Sequence, residues 1–196
     1  MPRKKTFSFK NLIHKNFRRL EQFIFLLKSL LTPRQFIYLS CVLVGISSAL
    51  AVIILKTFAH WVFKSSQKLD DILHLPFSNS TLPIIGIIIT VIIIKKVLDG
   101  SIEKGTSQIM YAVAKKRGIM PRKQMFAQII TSSFTVGMGG SAGLESPITI
   151  TGAAFGSNYA QNYRLSYKDR TLLLACGVAA GIGAAFNAPI AGVLFA

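Results

Sequence analysis

The chain has 196 residues, 51% of them apolar and only 15% charged, with a mean hydropathy of +0.49. That balance argues against a soluble domain, in which roughly 25% of residues carry charge. The charge is one-sided, 23 Lys and Arg against 7 Asp and Glu for a net +16. It sits in blocks between apolar stretches, which is the pattern of a membrane topology and not of a nucleic-acid surface.

Residues 1–35 carry nine basic residues and one acid, with no apolar stretch ending in a small-residue cleavage site, so they do not read as an export signal. Residues 1–10 are polar and expected to be disordered. Ile13, Phe17, Leu20, Ile24, Leu27 and Leu31 recur at spacings of three and four, one face of an α-helix, with Lys15, Arg18, Arg19 and Lys28 on other faces. Such a helix either lies on the cytoplasmic leaflet, its cations near anionic headgroups, or packs against the rest of the protein.

Phe36–Leu55 is a charge-free run of twenty residues, enough to cross the hydrocarbon core as a helix. Its basic N-terminal flank is expected on the cytoplasmic side. Residues 57–80 then read as an external segment, with Lys64 and Lys68 balanced by Asp70 and Asp71. Leu82–Ile94 is strongly apolar but thirteen residues long; it spans if the preceding residues join it and Lys95 and Lys96 snorkel. Residues 95–123 hold eight basic residues and two acids, which returns the chain to the inside. Within them Thr106–Lys115 reads as a short helix, ended by Gly118 and Pro121.

From Gln124 to Tyr163, forty residues, the only charged side chain is Glu145. Gly137, Gly139, Gly140 and Gly143 interrupt this stretch and Ser146-Pro147 follows, so one helix is expected to end near Gly137 and another to begin near Ser146. After the basic patch Arg164, Lys168 and Arg170, the charge-free run Thr171–Ala196 is broken at Asn187-Ala188-Pro189, a second broken helix pair. Cys41 and Cys176 fall within apolar stretches and read as small buried hydrophobes, with neither disulfide nor metal. His14, His60 and His74 are scattered without metal-ligand spacing, and no nucleophile–base arrangement or phosphate loop is present, so no enzymatic role is expected.

Broken backbone at membrane depth is tolerated only where it is buried in protein or lines a polar cavity. A helix that begins there offers unpaired N–H groups and the positive end of its dipole, a combination that binds anions. Glu145 stands at such a start. An ionisable group inside a membrane costs at least ~2.5 kcal/mol to place, which makes it a functional candidate. Its carboxylate would occupy the place of a bound anion, and protonation would release it. That describes a gate which competes with the permeating ion and carries a proton; the other reading is a plain helix-capping acid near the interface.

Gly-Ser-Ala-Gly-Leu-Glu-Ser-Pro-Ile, residues 140–148, resembles the gating motif of the CLC chloride channel and transporter family, which has a Gly-x-Glu-x-Pro core. Residues 181–196, from Gly181 through Phe186-Asn187-Ala188-Pro189 to Ala196, resemble that family's next segment almost residue for residue. The resemblance covers roughly residues 36–196. It implies an all-α, polytopic transmembrane fold with broken helices. Residues 1–35 would be a cytoplasmic N-terminal segment with an amphipathic helix, and residues 36–196 a partial CLC-type transmembrane domain, the first part of the first inverted repeat. It also implies passive or proton-coupled transport of chloride or a similar anion, with no cofactor, in a plasma-membrane homodimer whose N-terminus is cytoplasmic. Glu145 would be the gating glutamate, with Gly143, Leu144, Ser146, Pro147 and Ile148 lining the anion site through their backbone. The family's earlier Gly-Ser-Gly-Ile-Pro pattern, which helps hold the central anion, aligns best with Lys104-Gly105-Thr106-Ser107-Gln108: Gly105 matches, and Lys104 stands at the serine position, where it either adds attraction for the anion, with Ser107 as the alternative ligand, or is a plain cytoplasmic loop charge. Ala142 and Ser146 also depart from other members. Family proteins have two inverted halves, so a chain ending at Ala196 is expected to be truncated. The competing readings are a non-transporting membrane fragment or assembly piece, and a secondary transporter of another substrate.

Overall fold

The computed structural model describes residues 31–73, 78–97 and 105–196, and the side chains of 31–68, 81–96 and 105–196. Most of the amphipathic helix expected over residues 13–31 lies outside the described residues. All regular structure among the described residues is α-helical. The helices are α1 (Pro33–Leu73), α2 (Ser78–Val97), α3 (Ser107–Lys115), α4 (Gln124–Gly137), α5 (Glu145–Asn162), α6 (Tyr167–Phe186) and α7 (Pro189–Phe195). The chain divides into two compact units, residues 1–40 and 41–196. The described part of the first is the opening of α1, where the Ser40 hydroxyl donates to the Phe36 carbonyl at 2.7 Å.

Among the described residues, two helices are long and apolar enough to cross a membrane: α1 over Pro33–Lys68, and α6. The first expected span is only the front of α1. Its 41 residues measure about 60 Å at 1.5 Å per residue, twice the hydrocarbon thickness. Residues 57–73, set apart in the sequence as a separate external segment, continue the same helix. Charge at Lys56, Lys64 and Lys68 marks a change of surroundings, and charge does not stop a helix. The short apolar run at 82–94 is joined by its flanks, as a span requires: α2 has 20 residues and runs through Pro83, with Lys95 and Lys96 in its last turn.

The core forms around α5. Its residues from Pro147 to Ala154 are all buried, so it is enclosed on every side along that stretch. It packs most extensively on α6, and the two backbones nearly touch. A Cβ placed on Gly177 would lie 2.1 Å from the Gly152 carbonyl oxygen, and one on Gly152 would lie 2.3 Å from that of Gly177. Only glycine permits this approach, and small residues at the crossing are how helices associate without a hydrophobic drive between them. The Ser48 hydroxyl of α1 donates to the Gly177 carbonyl at 2.7 Å, which locks α1 onto the same crossing.

Several large apolar side chains point outward. On α1, Val42, Ile46, Leu50 and Ile54 are more than half exposed at four-residue spacing, and on α2 Ile84, Ile88 and Ile92 repeat the pattern. A continuous apolar stripe on the outside of a helix suits surroundings that are themselves apolar.

The charged end of the unit is held differently. The Ser157 hydroxyl of α5 accepts from the Met120 amide at 2.9 Å and donates to the Gly118 carbonyl at 2.5 Å. Gln161 donates to the Met120 carbonyl at 3.1 Å. The Arg170 guanidinium donates to the Arg117 carbonyl at 3.1 Å. The basic turn between α3 and α4 is thereby fastened to α5 and α6. α6 itself opens on a reciprocal cap: the Ser166 hydroxyl accepts from the Asp169 amide at 3.3 Å and donates to its carboxylate at 2.6 Å.

Candidate functional site

The connection between α4 and α5 is short and pinned. Met138, Gly139 and Gly140 donate their amides back to Phe134, Val136 and Thr135 at 3.1, 3.0 and 2.9 Å, satisfying the last carbonyls of α4. Gly139 stands at φ +90°, where an L side chain is strained. A Cβ on Gly140 would meet the Thr135 carbonyl at 2.5 Å. At the end of α4, a Cβ on Gly137 would lie 2.7 Å from Val62, and the Gly137 carbonyl accepts from the Ser66 hydroxyl at 3.2 Å. Gly137 thus presses the end of α4 against α1.

α5 begins at Glu145, one residue before the expected start, with Leu144 as its N-cap. Leu144 offers no side-chain cap and instead packs its apolar body between two core clusters. Of the first-turn amides, Pro147 has none, and that of Ile148 is taken up by the Leu144 carbonyl at 3.0 Å. Ile148 was expected to help line the anion site; it is 1% exposed and its N–H closes the first turn of the helix. The helix's own bonding leaves the N–H groups of Glu145 and Ser146 open, at the positive end of an 18-residue helix. Glu145 is the only acid in that turn, and its side chain is exposed. Nothing lies within 4 Å of where a Gly143 side chain would stand. The result is a fixed backbone bearing two open donors, a free carboxylate and unobstructed space beside it.

A family model described as the voltage gated chloride channel matches residues 85–196, more than half of the chain. The chain belongs to that family. The match runs from α2 to the end of α7 and includes both helix breaks. Among the similar proteins, the putative chloride channel protein ClcB-like of Ralstonia nicotianae is 38% identical over 96 residues, covering 47% of this chain and 22% of that protein. The chloride channel protein CLC-c of Arabidopsis thaliana is 40% identical over 91 residues, 40% of this chain and 12% of that protein. The H(+)/Cl(-) exchange transporter ClcA of Salmonella arizonae is 36% identical over 92 residues, 46% of this chain and 20% of that protein. The chain spans about a fifth or less of the length of these relatives. No solved structure gives a significant match.

In this voltage gated chloride channel family member the remaining candidate residues fall in two places. Gly143, Leu144, Glu145, Ser146, Pro147 and Ile148 are consecutive at the start of α5. Gly105 and Ser107 stand at the start of α3, Gly105 at φ +69° with its carbonyl accepting from Gln108 at 3.2 Å. Both are exposed, and among the described residues no hydrogen bond or ion pair joins them to Glu145. Lys104 lies outside the described residues.

One cation near the second break was not singled out by the sequence reading. The Lys56 ammonium of α1 donates to the Ala185 carbonyl at 2.6 Å, one residue before α6 ends at Phe186. It completes a helix C-terminus that Asn187 caps in the left-handed conformation at φ 53°. Pro189 then opens α7 at its first position.

Proposed function

We propose that this protein moves chloride or a similar small anion across a membrane, passively or coupled to protons, with Glu145 as the gate. Transport, and not catalysis, is its task on this reading. The observation that carries it is the start of α5: open amides at Glu145 and Ser146, an exposed carboxylate on the same turn, and buried helix behind them. An anion and the Glu145 carboxylate would compete for one positive helix end, and a proton on the carboxylate would decide the competition in favour of the anion. Family membership supports the substrate class, and the outward apolar stripes of α1 and α2 support a lipid setting. Gly143, Leu144, Pro147 and Ile148 belong to the frame that aims this turn, and we assign direct anion contact to the amides of Glu145 and Ser146. The family's homodimeric state and a cytoplasmic N-terminus at the cell membrane are part of the same proposal.

The test is chloride efflux from liposomes holding the protein, followed by a chloride electrode with internal pH recorded in parallel. Glu145→Gln mimics the protonated acid, so flux should lose its dependence on pH and any accompanying proton movement should stop. Unchanged pH dependence in the variant would remove Glu145 from the gate. A chain that carries no anion at any pH would point to a membrane assembly piece, and flux of another solute in place of halide to a different transporter.

A further inference from the structure

We propose that Cys41 and Cys176 form a reversible disulfide that staples α1 to α6. The two residues are 135 positions apart, and the register of the helices brings them together. Along one row Ser48 bonds Gly177, Val52 meets Gly181 and Lys56 bonds Ala185, four residues further on both helices at each step; on a second row Gly45 faces Ala180, at the same 135-residue offset as Cys41 and Cys176. The two helices therefore run parallel along this seam. Cys41 lies one turn before Gly45, and Cys176 lies one turn before Ala180. At the Gly45–Ala180 position, a Cβ on the glycine would stand 3.8 Å from the Ala180 Cβ. Disulfides need a Cβ–Cβ spacing of about 3.5–4.5 Å. The cysteine pair sits at the equivalent position one turn away, and the two side chains interact with each other and line one groove.

Their surroundings leave the pair accessible. Both thiols are free, only partly buried, and line an apolar groove of about 510 Å³ between α1, α6 and α7. Gly45, Ala180 and Pro189 form part of the same wall. Both are unbonded, as expected of small hydrophobes, but they are part-buried and line the groove where full burial was expected.

The chemistry needs a two-electron oxidant of the peroxide class. One sulfur attacks a peroxide oxygen, the O–O bond breaks, and a sulfenic acid forms with release of water. The second sulfur then attacks the sulfenic sulfur, the S–OH bond breaks, and a second water leaves as the S–S bond forms. Both thiols are oxidised, the peroxide is reduced, and the two thiol protons end in the water. A dithiol reverses the step by exchange. Because α7 follows α6 after only Asn187 and Ala188, the staple fixes the width of the groove that α7 also lines.

The full chain, reconstituted in liposomes, is treated with hydrogen peroxide, digested without reductant and weighed by mass spectrometry. The expected product is a linked pair of peptides containing Cys41 and Cys176, two hydrogens lighter than their sum, which dithiothreitol separates. Cys41→Ser should abolish it. Alkylation with a membrane-permeant maleimide should fall at both cysteines after oxidation and recover after reduction. Thiols that stay fully alkylated after peroxide would overturn the proposal. So would linkage found only between separate chains, or oxidation that stops at sulfinic acid on either cysteine. Because these outcomes are read on the unaltered chain, a variant that fails to fold leaves the test intact.

Discussion

Replacing Gly177 with alanine tests the α5–α6 crossing on which the site rests. The added methyl would lie 2.1 Å from the Gly152 carbonyl oxygen, where ordinary contact begins at 3.4 Å. The two backbones must separate by more than an ångström. They cannot escape by sliding, because a Cβ on Gly156 would likewise lie 2.1 Å from the Leu173 carbonyl oxygen, so neighbouring turns are equally tight. Overpacking of this kind costs about 1–3 kcal/mol. The Ser48 hydrogen bond to the Gly177 carbonyl, about 1 kcal/mol, is disturbed as well. Alanine recovers about 1 kcal/mol of helix propensity over glycine, so the net loss is about 1–3 kcal/mol. For a chain of this size that lowers the unfolding midpoint by roughly 3–10 °C. The assay is thermal unfolding in detergent micelles. Gly143→Ala serves as the control, since nothing lies within 4 Å of that position. An unchanged midpoint for Gly177→Ala would refute the close crossing, and so would equal losses for both variants.

Other positions give separate checks. Ser157→Ala leaves the Met120 amide and the Gly118 carbonyl without their shared partner, and the same unfolding assay should show a loss of about 2–4 kcal/mol. Substitution of Lys56 by Met keeps the apolar stem but removes the bond to the Ala185 carbonyl. It should cost about 1–2 kcal/mol, and Lys56→Arg should recover part of that.

The break at α4–α5 was legible because its signals are local. A forty-residue stretch with one charge, a glycine run and a proline together mark where one helix ends and another starts, and the structure moves the start only from Ser146 to Glu145. Asn187-Ala188-Pro189 marked the second break for the same reason. The continuation of α1 past Leu55 was not legible from charge and hydropathy. These report what surrounds a helix, and a helix leaving lipid for water keeps its hydrogen bonds. Lys56 and the cysteine pair were missed for another reason. Their partners lie 129 and 135 residues away, and local periodicity says nothing about register between two distant helices. The small residues Gly45, Ala180 and Gly181 did contain that information, as a face on each helix able to approach closely, but reading it requires knowing which face meets which.

The gate proposed for Glu145 would need a rigid support and a movable side chain, and the arrangement around it supplies a separate place for each. Behind it, α5 is enclosed, Leu144 is wedged between two clusters, and the preceding turn is tied to α4 by three backbone bonds. Its Cα therefore has little freedom, and the direction of its open amides is fixed before any anion arrives. The side chain has the opposite situation: it is exposed, and the position of a Gly143 side chain two residues earlier is also open. An acid buried with such a helix end would stay there as a permanent cap. An acid on a loose loop would not return to the same place. On the proposed gating role, a free carboxylate on such a helix start would leave and come back to one position, so the difference between its charged and protonated states would become a difference in anion access. The glycines at 137, 139 and 140 contribute by letting α4 stop abruptly and hold the turn from behind, which is why they cluster upstream of Glu145 and not beside its carboxylate.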